Sequence, residues 1–130
     1  MEAEEGEGGM NTITELRQLG NHLSTFRFIY ESEADLQMGI EQVLSPSAFR
    51  VEREVQLGDL GRLDFLINGR IVIETKIGGS AAELMRQVAR YAQSEMVAGI
   101  LVVTDRASHR LPPEFNGKPV LVHSLLGGAF

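Results

Sequence analysis

The chain has 130 residues, 43% hydrophobic and 23% charged, with 18 acids, 12 bases and no cysteine. That length fits one domain able to bury a core without staples. The missing cysteines exclude a disulfide framework and a thiolate metal site, and suit a reducing compartment. No apolar run approaches the roughly 18 residues of a membrane span. The first nine residues, MEAEEGEGG, are acidic where a signal peptide is basic. The expectation is a soluble, cytoplasmic protein with no membrane contact. Charge weighs less against a nucleic-acid partner than its formal −6 implies. Glu2, Glu4, Glu5 and Glu7 stand together with no base among them. From Met10 onward 14 acids face 12 bases, ten of them arginine, which suits planar contact with phosphate or carboxylate.

In chain order, residues 1–9 read as a disordered acidic tail, and 10–130 as a single domain. Residues 12–30 predict a short helix, then packed irregular chain carrying Phe26, Phe28, Ile29 and Tyr30. Ser32 and Asp35 form an S-x-x-D capping box. Leu36, Ile40, Val43 and Leu44 then repeat at helical spacing until Pro46 stops the helix. Phe49, Val51, Val55 and Leu57 alternate with polar residues, as in a strand. After a turn at 58–61, residues 62–67 and 70–77 form two strands around Asn68-Gly69, a strong hairpin signal. Ser80 caps a helix predicted over 81–95. Residues 97–104 (VAGILVVT) are continuously apolar, as a strand covered on both faces requires. Residues 105–118 are polar and irregular, and 119–123 predict a last strand. The class is α/β with a mixed β-sheet flanked by helices.

Asp64, Glu74 and Lys76 interrupt the apolar strands RLDFLI and RIVIETKI. Glu74 and Lys76 are two apart and share a face. A two-residue loop would leave Asp64 and Glu74 on opposite faces and mix charge into both. An odd loop, with Gly69 left-handed in a bulge, pairs Leu66 with Arg70 and Asp64 with Val72. It gathers Leu63, Phe65, Ile67, Ile71 and Ile73 on one face and Arg62, Asp64, Glu74 and Lys76 on the other. Burial fixes register, so the odd loop is favoured. Two converging carboxylates suit a hard cation such as Mg²⁺, with water and substrate phosphate completing its shell. The cation can polarise a phosphodiester and acidify an attacking water, and a neighbouring lysine can stabilise developing charge. The alternative is a cross-strand ion pair linking Asp64 or Glu74 to Lys76 or Arg62.

Asp64 followed, after nine residues, by Glu74-Thr75-Lys76 resembles the signature of the PD-(D/E)XK nuclease superfamily. The resemblance covers about Glu33 to Thr104 and implies a restriction-endonuclease-like α-β-β-β-α-β core. Gln87 and Tyr91, four apart on the helix after the lysine strand, match the exonuclease-like and Holliday-junction-resolvase-like branches. Glu33, on the helix before the first strand, matches the glutamate many members carry there. Leu63 departs from the proline that usually precedes the aspartate. The resemblance implies a Mg²⁺- or Mn²⁺-dependent phosphodiesterase acting on DNA in repair, recombination or phage DNA processing. By position Asp64, Glu74 and the Thr75 carbonyl would hold metal, and Lys76 would orient water or stabilise charge. Glu33 would act on the metal through water, and Gln87 would orient substrate or the lysine.

Each of these positions also has a plainer reading. Glu33 is a first-turn acid favoured by the helix dipole. Gln87 and Tyr91 are i, i+4 neighbours beside Leu84 and Val88. Arg86 and Arg90 form a like-charged pair that wants an anion, either Glu83 or a DNA phosphate. Arg62, next to the site, is the better phosphate candidate. His22, His109 and His123 lack ligand spacing, and Gly78-Gly79 reads as flexible access. Two other classes compete with an enzyme: a catalytically silent nuclease-fold module binding DNA or a protein partner, and an assembly module using the aromatic cluster and the C-terminal LLGGAF. A homodimer placing two sites on two strands is a further expectation.

Overall fold

Three helices and a six-stranded mixed sheet build the domain, in a computed structural model that describes residues 2–106 and 110–125. The helices are α1 (Glu2–Ser24), α2 (Glu33–Leu44) and α3 (Ala81–Tyr91). The strands are β1 (Val51–Gln56), β2 (Arg62–Ile67), β3 (Ile71–Lys76), β4 (Gly99–Thr104), β5 (Glu114–Phe115) and β6 (Lys118–Ser124). They lie in the order β1-β2-β3-β4-β6-β5. β1, β2 and β3 pair antiparallel; β3, β4 and β6 run parallel; β5 returns antiparallel along β6. His109 and most of LLGGAF lie outside the described residues. Among the described residues no helix is long and apolar enough to cross a membrane.

Local chemistry places the helix ends. Ser32 Oγ accepts the Asp35 N–H at the start of α2, and Ser80 Oγ accepts the Glu83 N–H at the start of α3. α3 ends at Tyr91, four residues before the predicted limit. There the chain tightens, with Gln93 N–H donating to the Arg90 carbonyl and Ser94 N–H to the Tyr91 carbonyl. α1 takes in residues 2–9, where composition predicts a tail. Glutamate is a good helix former, and its charge favours a helix N-terminus.

Each face of the sheet has its own core. Leu16, Leu19 and Leu23 of α1 and Leu36, Ile40 and Leu44 of α2 pack against Phe65, Ile67, Ile71, Ile73, Leu101 and Val103. On the other face Leu84, Val88 and Tyr91 of α3 cover Leu66, Val72, Ile100 and Val102. All six residues of β4 are buried, as the unbroken run VAGILVVT requires of a strand covered on both sides. Leu63, expected with Phe65, joins the α3 cluster instead. Phe65 is fully buried with the Arg53 guanidinium 4.7 Å above its ring. Phe65→Ala therefore leaves a cavity between α2 and the sheet, and chemical denaturation should show a loss of about 3–5 kcal/mol.

Phe65, Ile67, Ile71 and Ile73 share one face of the hairpin as expected, Leu63 does not, and the register differs from the expected one by two residues. Asn68 and Gly69 both take positive φ, and the Arg70 N–H closes the turn on the Ile67 carbonyl. Ile67 then pairs with Ile71, Leu66 with Val72 and Phe65 with Ile73, so Arg70 is the unpaired residue. The expected pairs Leu66–Arg70 and Asp64–Val72 are not formed. Tertiary contacts explain the shift. The Arg70 side chain reaches Glu15 and Thr12 on α1, Asn68 also bonds Glu15, and the Arg70 carbonyl accepts the Ala98 N–H. Continuing this register sets Asp64 directly across from Glu74.

Candidate active site

The β2–β3 ladder is paired through Phe65 and Ile73 and then gives way to side chains. By the alternation of an antiparallel pair, the next residue of β3 facing β2 is Thr75. Its N–H donates to Asp64 Oδ2 at 2.9 Å in place of a strand carbonyl, and its hydroxyl donates to the same oxygen at 2.8 Å. A residue's N–H and C=O point to the same side of a strand, so the Thr75 carbonyl also faces this opening. On β1 the register skips the Glu54–Asp64 pair, and Glu54 has a left-handed φ of 53°. Asp64 thus sits where both of its neighbouring ladders lapse.

Behind Asp64 a polar chain runs to α2. Gln37 Nε2 donates to Thr75 Oγ1 at 2.8 Å, and Arg53 Nη2 donates to Gln37 Oε1 at 3.0 Å. Arg53 Nη1 pairs with Glu41 at 2.8 Å. These groups fix Thr75 and, through it, the Asp64 carboxylate. Gln37, Glu41 and Arg53 are site-supporting residues that the sequence pattern missed. Gln37 and Glu41 are spaced i, i+4 beside the apolar stripe of α2, and Arg53 shares the face of Val51 and Val55 on β1, so a polar stripe was present to be read.

Glu74 is 3% exposed, and its Oε1 has no hydrogen-bond partner. Burial, then the like charges of Asp64 and Glu33, push its carboxyl up to about 9, against a smaller opposing pull from Lys76. Glu33 stands at the start of α2 with its carboxylate accepting the Ile77 N–H. Burial raises its pKa first, the Lys76 charge opposes this, and Asp64 adds to it. Glu33 is therefore a first-turn acid that also feels the charges of Lys76 and Asp64. A buried carboxylate oxygen with no donor, facing a second carboxylate, is the arrangement a divalent cation relieves. The residues fit such an ion. Among the described residues no three Asp, Glu or His side chains converge as an all-protein cage. Mg²⁺ commonly needs just one or two carboxylates, with water and phosphate supplying the rest.

Lys76 is half-buried, and its Nζ lies 2.5 Å from Glu83 Oε1 on the first turn of α3. That hydrogen bond is the main cause that raises the lysine pKa and lowers that of Glu83. Glu83 is thus the partner of Lys76, and it also feels the charge of Arg86. Its signal in the sequence was its place three residues after the Ser80 cap. At Gly79 the chain passes close to the Lys76 stem. Gly79 has a φ of 72°, and a Cβ there would stand 2.7 Å from Lys76 Cε. Gly79→Ala forces a left-handed alanine and displaces the lysine stem. If the site is catalytic, turnover should fall by about 10- to 100-fold through misplacement. Thermal melts should show a cost of only about 1–2 kcal/mol.

The remaining candidates divide. Gln87 Nε2 donates to the Tyr91 hydroxyl at 2.9 Å, and that hydroxyl donates to the Arg62 carbonyl at 3.0 Å. Tyr91 is 2% exposed, and burial raises its hydroxyl pKa to about 12 with Glu74 adding to it. The pair therefore braces α3 against the start of β2, and Tyr91 offers no surface to a ligand. Arg62, Arg86 and Arg90 are exposed, on β2 and α3, with no salt bridge among the described residues. Comparison with protein-family models, curated proteins and solved structures finds no match to this chain.

Proposed function

We propose that this protein is a metal-dependent deoxyribonuclease with a restriction-endonuclease-like core. The observation that carries the reading is Glu74, buried within the charge of Asp64 at a break in the sheet, with an oxygen that nothing bonds. The run α2-β1-β2-β3-α3-β4, antiparallel through β3 and then parallel to β4, supports the α-β-β-β-α-β core. Asp64, Glu74 and the Thr75 carbonyl would hold Mg²⁺ or Mn²⁺. The ion, when bound, supplies Lewis-acid polarisation of the phosphate and a more acidic water.

The chain's own groups have separable tasks. Thr75 orients Asp64 by donating two hydrogen bonds to one of its oxygens. Glu83 keeps Lys76 charged at the rim, where an ammonium offsets negative charge growing on phosphate oxygens. Glu33 adds an acidic group beside Lys76 for holding water. Arg62, Arg86 and Arg90 are free to meet the phosphates that flank the cut. A two-fold dimer would present one such site to each strand of a duplex, and light scattering tests it.

The test is cleavage of labelled linear duplex, single-stranded and branched DNA, with Mg²⁺ or Mn²⁺ and with EDTA. Asp64→Asn and Lys76→Ala run beside the wild type. Metal-dependent cutting that both substitutions remove supports the reading; equal behaviour of all three proteins on every substrate overturns it. One observation favours a second reading, a silent nuclease-fold module that binds DNA or protein. Lys76 is already committed to Glu83, and Asp64 to Thr75. Turnover that vanishes in Lys76→Ala eliminates that alternative.

A further inference from the structure

A cavity of about 490 Å³ opens on the α1 side of the sheet, lined by Phe26, Arg27, Phe28, Tyr30, His123 and Leu125 among others. Its volume is that of a small-molecule site. Three of its lining residues, Phe26, Phe28 and Tyr30, are aromatic and come from one short stretch; Phe28 and Tyr30 also pack against the core, and the Phe26 ring meets His22 edge-on. Phe26 is 42% exposed, a large apolar ring left open to solvent. Arg27 contributes a cation, and among the described residues no carboxylate lines the cavity. His123 is held towards its neutral form by burial, so its ring offers one donor and one acceptor. Rings for stacking, one cation and a neutral polar edge make the set that receives a nucleobase with its phosphate.

The cavity and the candidate active site lie at the same end of the sheet, the cavity on the α1 face and Lys76 turned towards α3. The chain leaves Tyr30 and reaches Glu33 three residues later. Tyr30 lies within the field of Asp105, whose carboxylate accepts the Gly78 N–H two residues beyond Lys76. Lys76 pairs with Thr104, and Thr104 with Ser124, which His123 and Leu125 flank. Two strand spacings thus separate Lys76 from the cavity floor, about 10 Å along one edge of the sheet. A DNA strand with its phosphate at Lys76 would cross that end of the sheet from the α3 side for its next base to reach the rings.

We infer that this cavity is a base-binding subsite for single-stranded DNA, in which an unpaired base of the strand stacks on Phe26 and its phosphate meets Arg27. The inference rests on the nuclease reading for its substrate class, but its test does not depend on cleavage. A single-stranded oligonucleotide carrying 2-aminopurine at one position, scanned along the strand, is titrated with the full-length protein in EDTA. Stacking quenches the probe at the position that enters the cavity. Phe26 and Arg27 are exposed, so Phe26→Ala and Arg27→Ala leave the fold intact, which circular dichroism verifies. Each should weaken binding by about tenfold, the size of one lost stacking or phosphate contact. Quenching should disappear in Phe26→Ala and return in Phe26→Trp.

A blunt duplex, whose bases are paired, should bind equally to wild type and Phe26→Ala. Excess free deoxynucleoside monophosphate separates a strand subsite from a mononucleotide site: a strand subsite resists competition at concentrations that saturate a mononucleotide site. Equal affinity and equal quenching in wild type and Phe26→Ala overturn the inference, as does an unquenched probe at every position. A protein that binds and quenches but never cuts would leave the subsite standing and remove the catalytic reading.

Discussion

Glu74→Gln should abolish metal-dependent cleavage and, in the same protein, raise the stability of the metal-free fold at pH 8. Burial and two neighbouring acids hold the Glu74 carboxyl near 9, against an ordinary value of 4.5. Between these values the folded chain keeps a proton that the unfolded chain has released. Stability therefore falls as pH rises through that window, by up to about 1.4 kcal/mol per pH unit. A glutamine has no proton to lose, and its amide can donate to Asp64 where a carboxylate would meet a like charge. Denaturant titrations in EDTA at pH 5, 7 and 8.5 should show the wild type losing ground to the variant as pH rises. Mg²⁺ or Mn²⁺ should reverse the order, because the ion binds the deprotonated pair and stabilises just the wild type. Parallel pH profiles for the two proteins would show that Glu74 carries no such charge conflict.

Asp64→Ala should remove cleavage as thoroughly, yet move stability in the opposite direction. Asp64 Oδ2 accepts both the Thr75 N–H and the Thr75 hydroxyl, and Thr75 is 2% exposed. Truncation leaves buried donors without an acceptor, at about 1–3 kcal/mol for the amide and less for a hydroxyl that can rotate. Removing the like charge also lowers the Glu74 pKa, so the stability profile of Asp64→Ala should be flatter with pH. Asp64→Asn keeps one acceptor and should recover most of the stability but none of the activity. Two carboxylates facing each other thus have opposite structural roles. Thr75 satisfies one Asp64 oxygen twice over, while Glu74 keeps a buried oxygen that nothing bonds. Cleavage falling by about 10²–10³-fold or more in both variants, with stability shifts of opposite sign, is the signature to seek.

Much of this was legible in the chain. The Ser32 and Ser80 caps, the stripe Leu36–Ile40–Leu44 and the apolar run before Thr104 are local signals, and each produced its element. The parity of the hairpin was legible too, because an apolar face and a charged face can be separated in just one of the two possible ways. Parity leaves the exact register open. The two-residue shift that puts Glu74 opposite Asp64 depends on Arg70 and Asn68 reaching α1, more than fifty residues earlier. Pattern spacing carries no term for such a contact.

The composition and spacing of residues 33–91 determined the class of fold, the sides of the sheet and the acids that gather on one of them. Those features follow from periodicity and from the cost of burying charge, which act on neighbours in sequence. The tertiary structure alone decided that Asp64 is satisfied by Thr75 while a Glu74 oxygen is not. It also decided that Lys76 leans on Glu83 across Gly79, and that Tyr91 is a brace for β2. Hydrogen bonds and desolvation depend on which groups meet in space, and that is settled when the helices dock on the sheet.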